Sequence, residues 1–119
     1  MKKLYLTLIT LILSITFSYG EGVYVSGYVD CGTWHQARND KKSGLVEHFI
    51  QGFINGISIG TDIEVWNANG IQTSPQTAFL YIDNFCKAKP LANTIQASLA
   101  FIDEKTNNAY SKISTKGNK

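Results

Sequence analysis

Leu45-Val46-Glu47-His48-Phe49-Ile50-Gln51-Gly52-Phe53-Ile54-Asn55-Gly56-Ile57-Ser58-Ile59-Gly60 is the run whose reading decides the fold. Leu45, Phe49, Phe53 and Ile57 recur every four residues, and Val46, Ile50 and Ile54 widen the apolar stripe. That spacing is the period of an amphipathic helix. Gly52, Gly56 and Gly60 recur at the same interval. A glycine inside a helix costs about 1 kcal/mol relative to alanine, so three on one face call for a backbone packed close by. Two arrangements meet that demand: tight helix–helix packing inside one subunit, or the seam of a dimer. The spacing is also that of membrane dimers, but Glu47, His48, Gln51 and Asn55 in the same run exclude a bilayer.

Upstream, Asp40-Lys41-Lys42-Ser43-Gly44 is a polar break. Gly32 to Asn39 before it reads as a short helix, with Trp34 and Ala37 or Arg38 on one side. Glu21 to Asp30 is irregular. Val23 and Val25 alternate with Tyr24 as in an extended arm, but no partner strand is visible, so the segment is expected to be a flexible lead-in.

Downstream, Thr61 to Thr73 is a turn-rich link containing Asn69-Gly70, a strong turn signal. Val65 and Trp66 within it fit either half-buried positions or an exposed apolar contact. Ser74-Pro75 starts a helix, with serine as N-cap and proline at the first helical position. Its inner face is Ala78, Ile82 and Phe85, with Phe79 and Cys86 beside it. Lys89-Pro90 ends it, because the residue before a proline avoids the helical region. Pro90 is expected to open the next helix, whose apolar stripe is Leu91, Ile95, Leu99 and Ile102. From Asn107 onward the chain is polar and is expected to fray.

The N-terminus follows the secretory pattern. Met1-Lys2-Lys3 is positive, Leu4 to Phe17 is apolar apart from Thr and Ser, and Ser18-Tyr19-Gly20 places small residues at −3 and −1 of a cut after Gly20. The apolar run is shorter than the roughly 20 residues a bilayer span needs. The prediction is therefore export, with no stable membrane anchor after cleavage. Of 11 basic and 9 acidic residues, two lysines leave with the signal, so the mature chain carries no formal net charge. Only Lys112, Lys116 and Lys119 gather positive charge, in a solvated tail, which disfavours nucleic acid as a partner.

About a hundred residues bury a modest core, which gives weight to Cys31 and Cys86. In an oxidising compartment two cysteines in a small domain usually pair. Closing that loop is worth roughly 4 kcal/mol in the chain-entropy model. The rival reading is a nucleophilic thiol, since Cys31 and His35 are four residues apart and share a helix face. Otherwise the sequence offers an enzyme little. His35 and His48 are the only histidines, which leaves a structural zinc site short of ligands, and there is neither a phosphate-cradling loop nor a GxSxG elbow. No cofactor and no metal is expected. Asp83, one turn before Cys86, is expected to pair with Arg38 or a backbone N–H rather than act as a base. Trp34 is expected in the core.

Two pieces of the chain carry a resemblance. One is Cys31-Gly32-Thr33-Trp34 with Arg38; the other is Tyr81-Ile82-Asp83-Asn84-Phe85-Cys86-Lys87-Ala88-Lys89-Pro90-Leu91. Between them lies Gly52-Phe53-Ile54-Asn55-Gly56. Together, over Tyr28 to Ile102, they resemble the Rap/Tai family of small periplasmic proteins, the immunity proteins against type VI secretion amidases. Acid-stress chaperones of the HdeA type are a looser likeness, in size, helical make-up and single disulfide. The Rap/Tai resemblance implies an all-helical fold, a disulfide between the matching cysteines, and often a homodimer. It also implies a partner, a secreted peptidoglycan amidase whose active-site cleft the protein occludes without chemistry of its own.

The expected architecture is thus all-α: a compact bundle of about four helices with one disulfide, after a cleaved signal peptide. The parts are a signal at 1–20, a lead-in at 21–30, a helical domain at 31–113 and a polar tail at 114–119. Gly32, Trp34, Arg38, Gly52, Gly56, Asp83, Asn84, Pro90 and Leu91 are the structural motif. Trp66, Asn67 and Asn69, on the turn-rich link, are the expected partner-facing residues, since aromatics such as Trp66 are enriched at binding hot spots.

Overall fold

Capping chemistry sets the helix starts in the computed structural model, which describes residues 25–117; the signal expected at 1–20 and the first lead-in residues lie outside these. Helix α1 (Cys31–Asn39) begins at Asp30, whose carboxylate accepts from Thr33 N at 2.8 Å. After the polar break comes α2 (Gly44–Thr61), which ends at Asp62 in the left-handed region. A short 3-10 turn (Ala68–Gly70) interrupts the following link. Helix α3 (Pro75–Ala88) starts as its sequence dictates, with Ser74 accepting from Thr77 N and Pro75 in the first turn. Helix α4 (Thr94–Lys105) and helix α5 (Ala109–Lys116) complete the chain. The fold is all-α, with no strand among the described residues.

Helix α4 is the hub, packed against α2, α3 and α5, while α1 packs on α3. The core between them is built from Trp34, Ile50, Ile54, Val65, Ile82, Phe101 and Ile102, all essentially without solvent contact. The Cys31–Cys86 bond ties the first residue of α1 to the last turn of α3.

Four expectations need correction. First, α2 buries Ile50 and Ile54, with Val46, Phe49 and Ile57 half-buried, whereas Leu45 is 87 % exposed. Gly52, Gly56 and Gly60 face away from the rest of the subunit. A β-carbon built on any of the three meets nothing within 4 Å, so tight packing inside the subunit does not account for them.

Second, Pro90 does not open α4, and Leu91 is fully exposed. Pro90 and Leu91 belong to a turn, and the helix starts three residues later. There Asn93 accepts from Gln96 N and the Gln96 side chain accepts from Asn93 N, a reciprocal capping box. The buried face of α4 is Thr94, Ala97, Ser98, Phe101 and Ile102. Ser98 is tolerated there because its hydroxyl donates to Thr94 O at 2.7 Å, which satisfies its buried donor.

Third, the end of the lead-in, Val29-Asp30, is paired rather than free. Val29 N donates to Thr94 Oγ1, Val29 O accepts from Thr94 N, and Cys31 N donates to Ala92 O. Asp30 and Asn93 form an isolated antiparallel bridge. Fourth, the chain after Asn107 is helical as far as Lys116, three residues into the expected tail. Asp103 of α4 holds α5 by accepting from Ser111 N at 3.0 Å and from the Ser111 hydroxyl.

Candidate functional site

The two motif pieces meet between α1 and α3. Trp34 faces inward one turn after Cys31, and Asp83 faces it one turn before Cys86, so the disulfide and the Trp34–Asp83 pair stack along the same helix contact. The indole N–H of Trp34 donates to Asp83 Oδ1 at 2.8 Å. Arg38, one further turn along α1, closes a fork on the same carboxylate. Its Nε donates to Oδ1 at 3.1 Å and its Nη2 to Oδ2 at 2.8 Å. Its Nη1 reaches Glu47 Oε1 on α2 at 2.8 Å, and Ser43 Oγ donates to the same oxygen. The guanidinium also lies over the Trp34 ring, 5.3 Å from the centroid.

The electrostatics follow from this geometry. The hydrogen bonds to Asp83 raise the Arg38 pKa above its ordinary value, against the opposing effect of burial, and the Asp83 and Glu47 charges add to the rise. The pair is half-buried rather than sealed, with side-chain exposures of 33 % for Arg38 and 17 % for Asp83. Beside it opens a cleft of about 340 Å³ lined by His35, Arg38, Asn39, Leu80, Asp83 and Lys87. Glu47 and Ser43 extend the network to a third helix. A carboxylate in the first turn of the helix after Arg38 was the available signal for that link.

Gly32 stands where a β-carbon would lie 3.1 Å from Asp30 Oδ1, so any side chain there presses on the cap. The Thr33 backbone N–H and then its hydroxyl, both donating to Asp30, hold the Asp30 carboxyl below its ordinary 3.8. Asn84, Pro90 and Leu91 are exposed and lie outside the network. Cys31 is bonded to Cys86 and has no thiol to offer His35.

The link from Asp62 to Thr73 is a braced loop. Trp66 is half-buried; its indole N–H donates to Asn55 Oδ1 of α2 at 2.7 Å, and its ring tilts against Phe101 at 6.3 Å. Thr73 N donates to Trp66 O at 2.7 Å, and Ile63, Val65 and Ala68 are buried beneath. Asn67, Asn69 and Ile71 face solvent at the tip, where Asn69 takes a left-handed φ of 56°. Trp66 thus fixes the loop from inside, and the asparagines present its surface.

No protein-family model matches the chain, and neither a curated protein nor a solved structure matches it. Among the described residues no group of three or more histidine, cysteine or acidic side chains is placed to hold a metal, and no helix is long and apolar enough to cross a membrane.

Proposed function

We propose that this chain is an exported, periplasmic binding protein of the immunity type, which neutralises a secreted peptidoglycan amidase by covering its active site. The observation that carries this reading is the convergence of the two motif pieces that prompt the Rap/Tai resemblance. Nearly fifty residues apart in sequence, they meet in one network through Cys31–Cys86, Trp34–Asp83 and Arg38–Asp83. Such a network stiffens a scaffold, and a stiff scaffold loses less conformational entropy when it docks. The braced 62–73 loop, with Asn67 and Asn69 at its tip, is the surface it offers to the amidase cleft.

The test is inhibition. Oxidised chain 21–119 is added to an exported amidase encoded beside it, and peptidoglycan hydrolysis is measured. Stoichiometric inhibition, together with lysis of cells that lack the chain, supports the proposal. Cells that lack it and survive amidase attack unchanged overturn it.

A further inference from the structure

The cleft between α1 and α3 holds more hydrogen-bond donors than the network beneath it uses. One wall is His35, Arg38 and Asn39, the other Leu80, Asp83 and Lys87, around a volume of about 340 Å³. The offsets are one or two helical turns on each helix, so each set of three shares a face. The Cys31–Cys86 bond lies one turn from His35 and next to Lys87 in the chain, and it fixes the two walls against each other.

Asp83 is the lining carboxylate, and its acceptor capacity is spent. A carboxylate offers about four lone-pair sites. Asp83 accepts from Trp34 Nε1, from Arg38 Nε at both oxygens and from Arg38 Nη2. Glu47 lies outside the lining, and its Oε1 is taken by Arg38 Nη1 and the Ser43 hydroxyl.

Donors are left over. A guanidinium has five N–H groups; Arg38 commits its Nε–H and one N–H on each terminal nitrogen, which leaves one free on each. Among the described residues the ion pairs are Arg38–Glu47 and Arg38–Asp83, so the exposed Lys87 ammonium has no ion-pair partner. The His35 ring and the Asn39 amide likewise make no hydrogen bond within the described residues. Leu80 supplies an apolar wall, 58 % exposed and about 10 Å along the helix from Lys87.

We infer that this cleft binds the carboxylate of a peptide together with the apolar side chain next to it. The carboxylate lies between Lys87 and the free Arg38 N–H groups, as charge-assisted hydrogen bonds favour. The His35 and Asn39 N–H groups serve the neighbouring peptide carbonyl, and the apolar side chain rests on Leu80. A few convergent polar groups beside an apolar wall are the usual make-up of a ligand site. Phosphate would meet the donors and leave Leu80 bare. The cleft is open and small, so a probe the size of one residue binds in the millimolar range. The inference is independent of the amidase reading, since no amidase enters its test.

The experiment is a proton–nitrogen correlation NMR titration of oxidised chain 21–119 with acetyl-leucine. Saturable shifts are expected in 35–39 and 80–87. Acetyl-leucinamide, which lacks the acid, should bind about tenfold more weakly, and Lys87→Ala should weaken acetyl-leucine about fivefold. Lys87→Arg should retain it, and Leu80→Ser should bring its affinity down to that of acetate. Lys87 and Leu80 are exposed, and circular dichroism of each variant verifies its fold. Acetyl-glutamyl-leucinamide carries its acid on a side chain. Saturable binding of either acid probe in the cleft supports the site, and the tighter of the two tells a chain end from a side chain. The absence of saturable shifts with both acid probes, up to their solubility limits, overturns the inference. So does an amide that binds as well as the acid, a Lys87→Ala variant that binds like the wild type, or inorganic phosphate that binds as tightly as acetyl-leucine.

Discussion

Trp34 Nε1 donates to Asp83 Oδ1 at 2.8 Å, so a side chain with no solvent exposure meets its buried donor's need with a carboxylate 49 residues away. The same carboxylate takes the Arg38 fork. Asp83 therefore serves two donors, and its loss strands both.

Asp83→Ala should destabilise the protein by about 2–4 kcal/mol, because an indole N–H and a half-buried guanidinium lose their acceptor together. Trp34→Phe should cost about 2 kcal/mol, through the lost hydrogen bond and the smaller ring. Urea denaturation at constant slope measures both. A change below about 0.5 kcal/mol for Asp83→Ala, the range of an ordinary surface substitution, would mean that the network is idle.

Asp30 sets an acid limb on stability. Its folded pKa lies below the ordinary 3.8, held there by the Thr33 backbone N–H first and the Thr33 hydroxyl second. A depressed carboxyl contributes stability that is fully present above its unfolded pKa and lost as pH falls through the folded one. Asp30→Asn should therefore flatten the stability profile below about pH 4 and leave its neutral limb parallel to that of the wild type. Carbon-detected NMR titration of the Asp30 carboxyl gives the folded value directly; a midpoint at or above 3.8 removes the cause.

Where the sequence could be read, local chemistry was enough. Ser74-Pro75 starts α3 and Lys89 ends it because capping and proline geometry act over three or four residues. The Arg38–Asp83 pairing was legible because few other partners were on offer. Elsewhere tertiary contacts decide. Pro90 resembles a helix start as well as Asn93 does, and only the reciprocal bonds of Asn93 and Gln96 separate them. Thr94 and Ser98 are buried polar residues, invisible to apolar periodicity, and each is satisfied by a backbone group. Helix α5 is short and has no buried residue; it stands because Asp103 grips Ser111 and because Ala109 and Tyr110 rest against the core. In α2 the spacing identified the helix, but eight large apolar residues wrap too far round to say which side turns inward. Glu47 joined the site from another helix, and a pairing across a turn carries no spacing rule.

The loop separates support from contact. Trp66→Ala removes a ring that rests on Phe101 and a bond to Asn55, and should cost about 3 kcal/mol. Asn67→Ala touches an exposed side chain and should stay within about 0.5 kcal/mol of wild type. If the loop enters the amidase cleft, Asn67→Ala should nevertheless weaken inhibition severalfold. Thermal melts and inhibition titrations on the same samples distinguish the two. Unchanged inhibition by both Asn67→Ala and Asn69→Gly would move the contact surface elsewhere; glycine keeps the left-handed backbone of position 69.

The disulfide divides the stability of the scaffold from its architecture. Cys31 and Cys86 have no solvent exposure, and their Cα atoms lie 5.1 Å apart. The bond closes a loop of 55 residues, which in the chain-entropy model stabilises the fold by roughly 4 kcal/mol. The Cys31→Ala/Cys86→Ala double variant should lose about 2–5 kcal/mol. It should keep its helical spectrum in the cold, because Trp34, Arg38 and Asp83 still join α1 to α3. A reductant reaches buried sulfur only when the helices part, so reduction of the native protein should be slow and should accelerate in step with added urea. Fast reduction in the absence of urea would show that α1 opens from α3 on its own, and that the Trp34–Asp83 pair does not hold the two helices together.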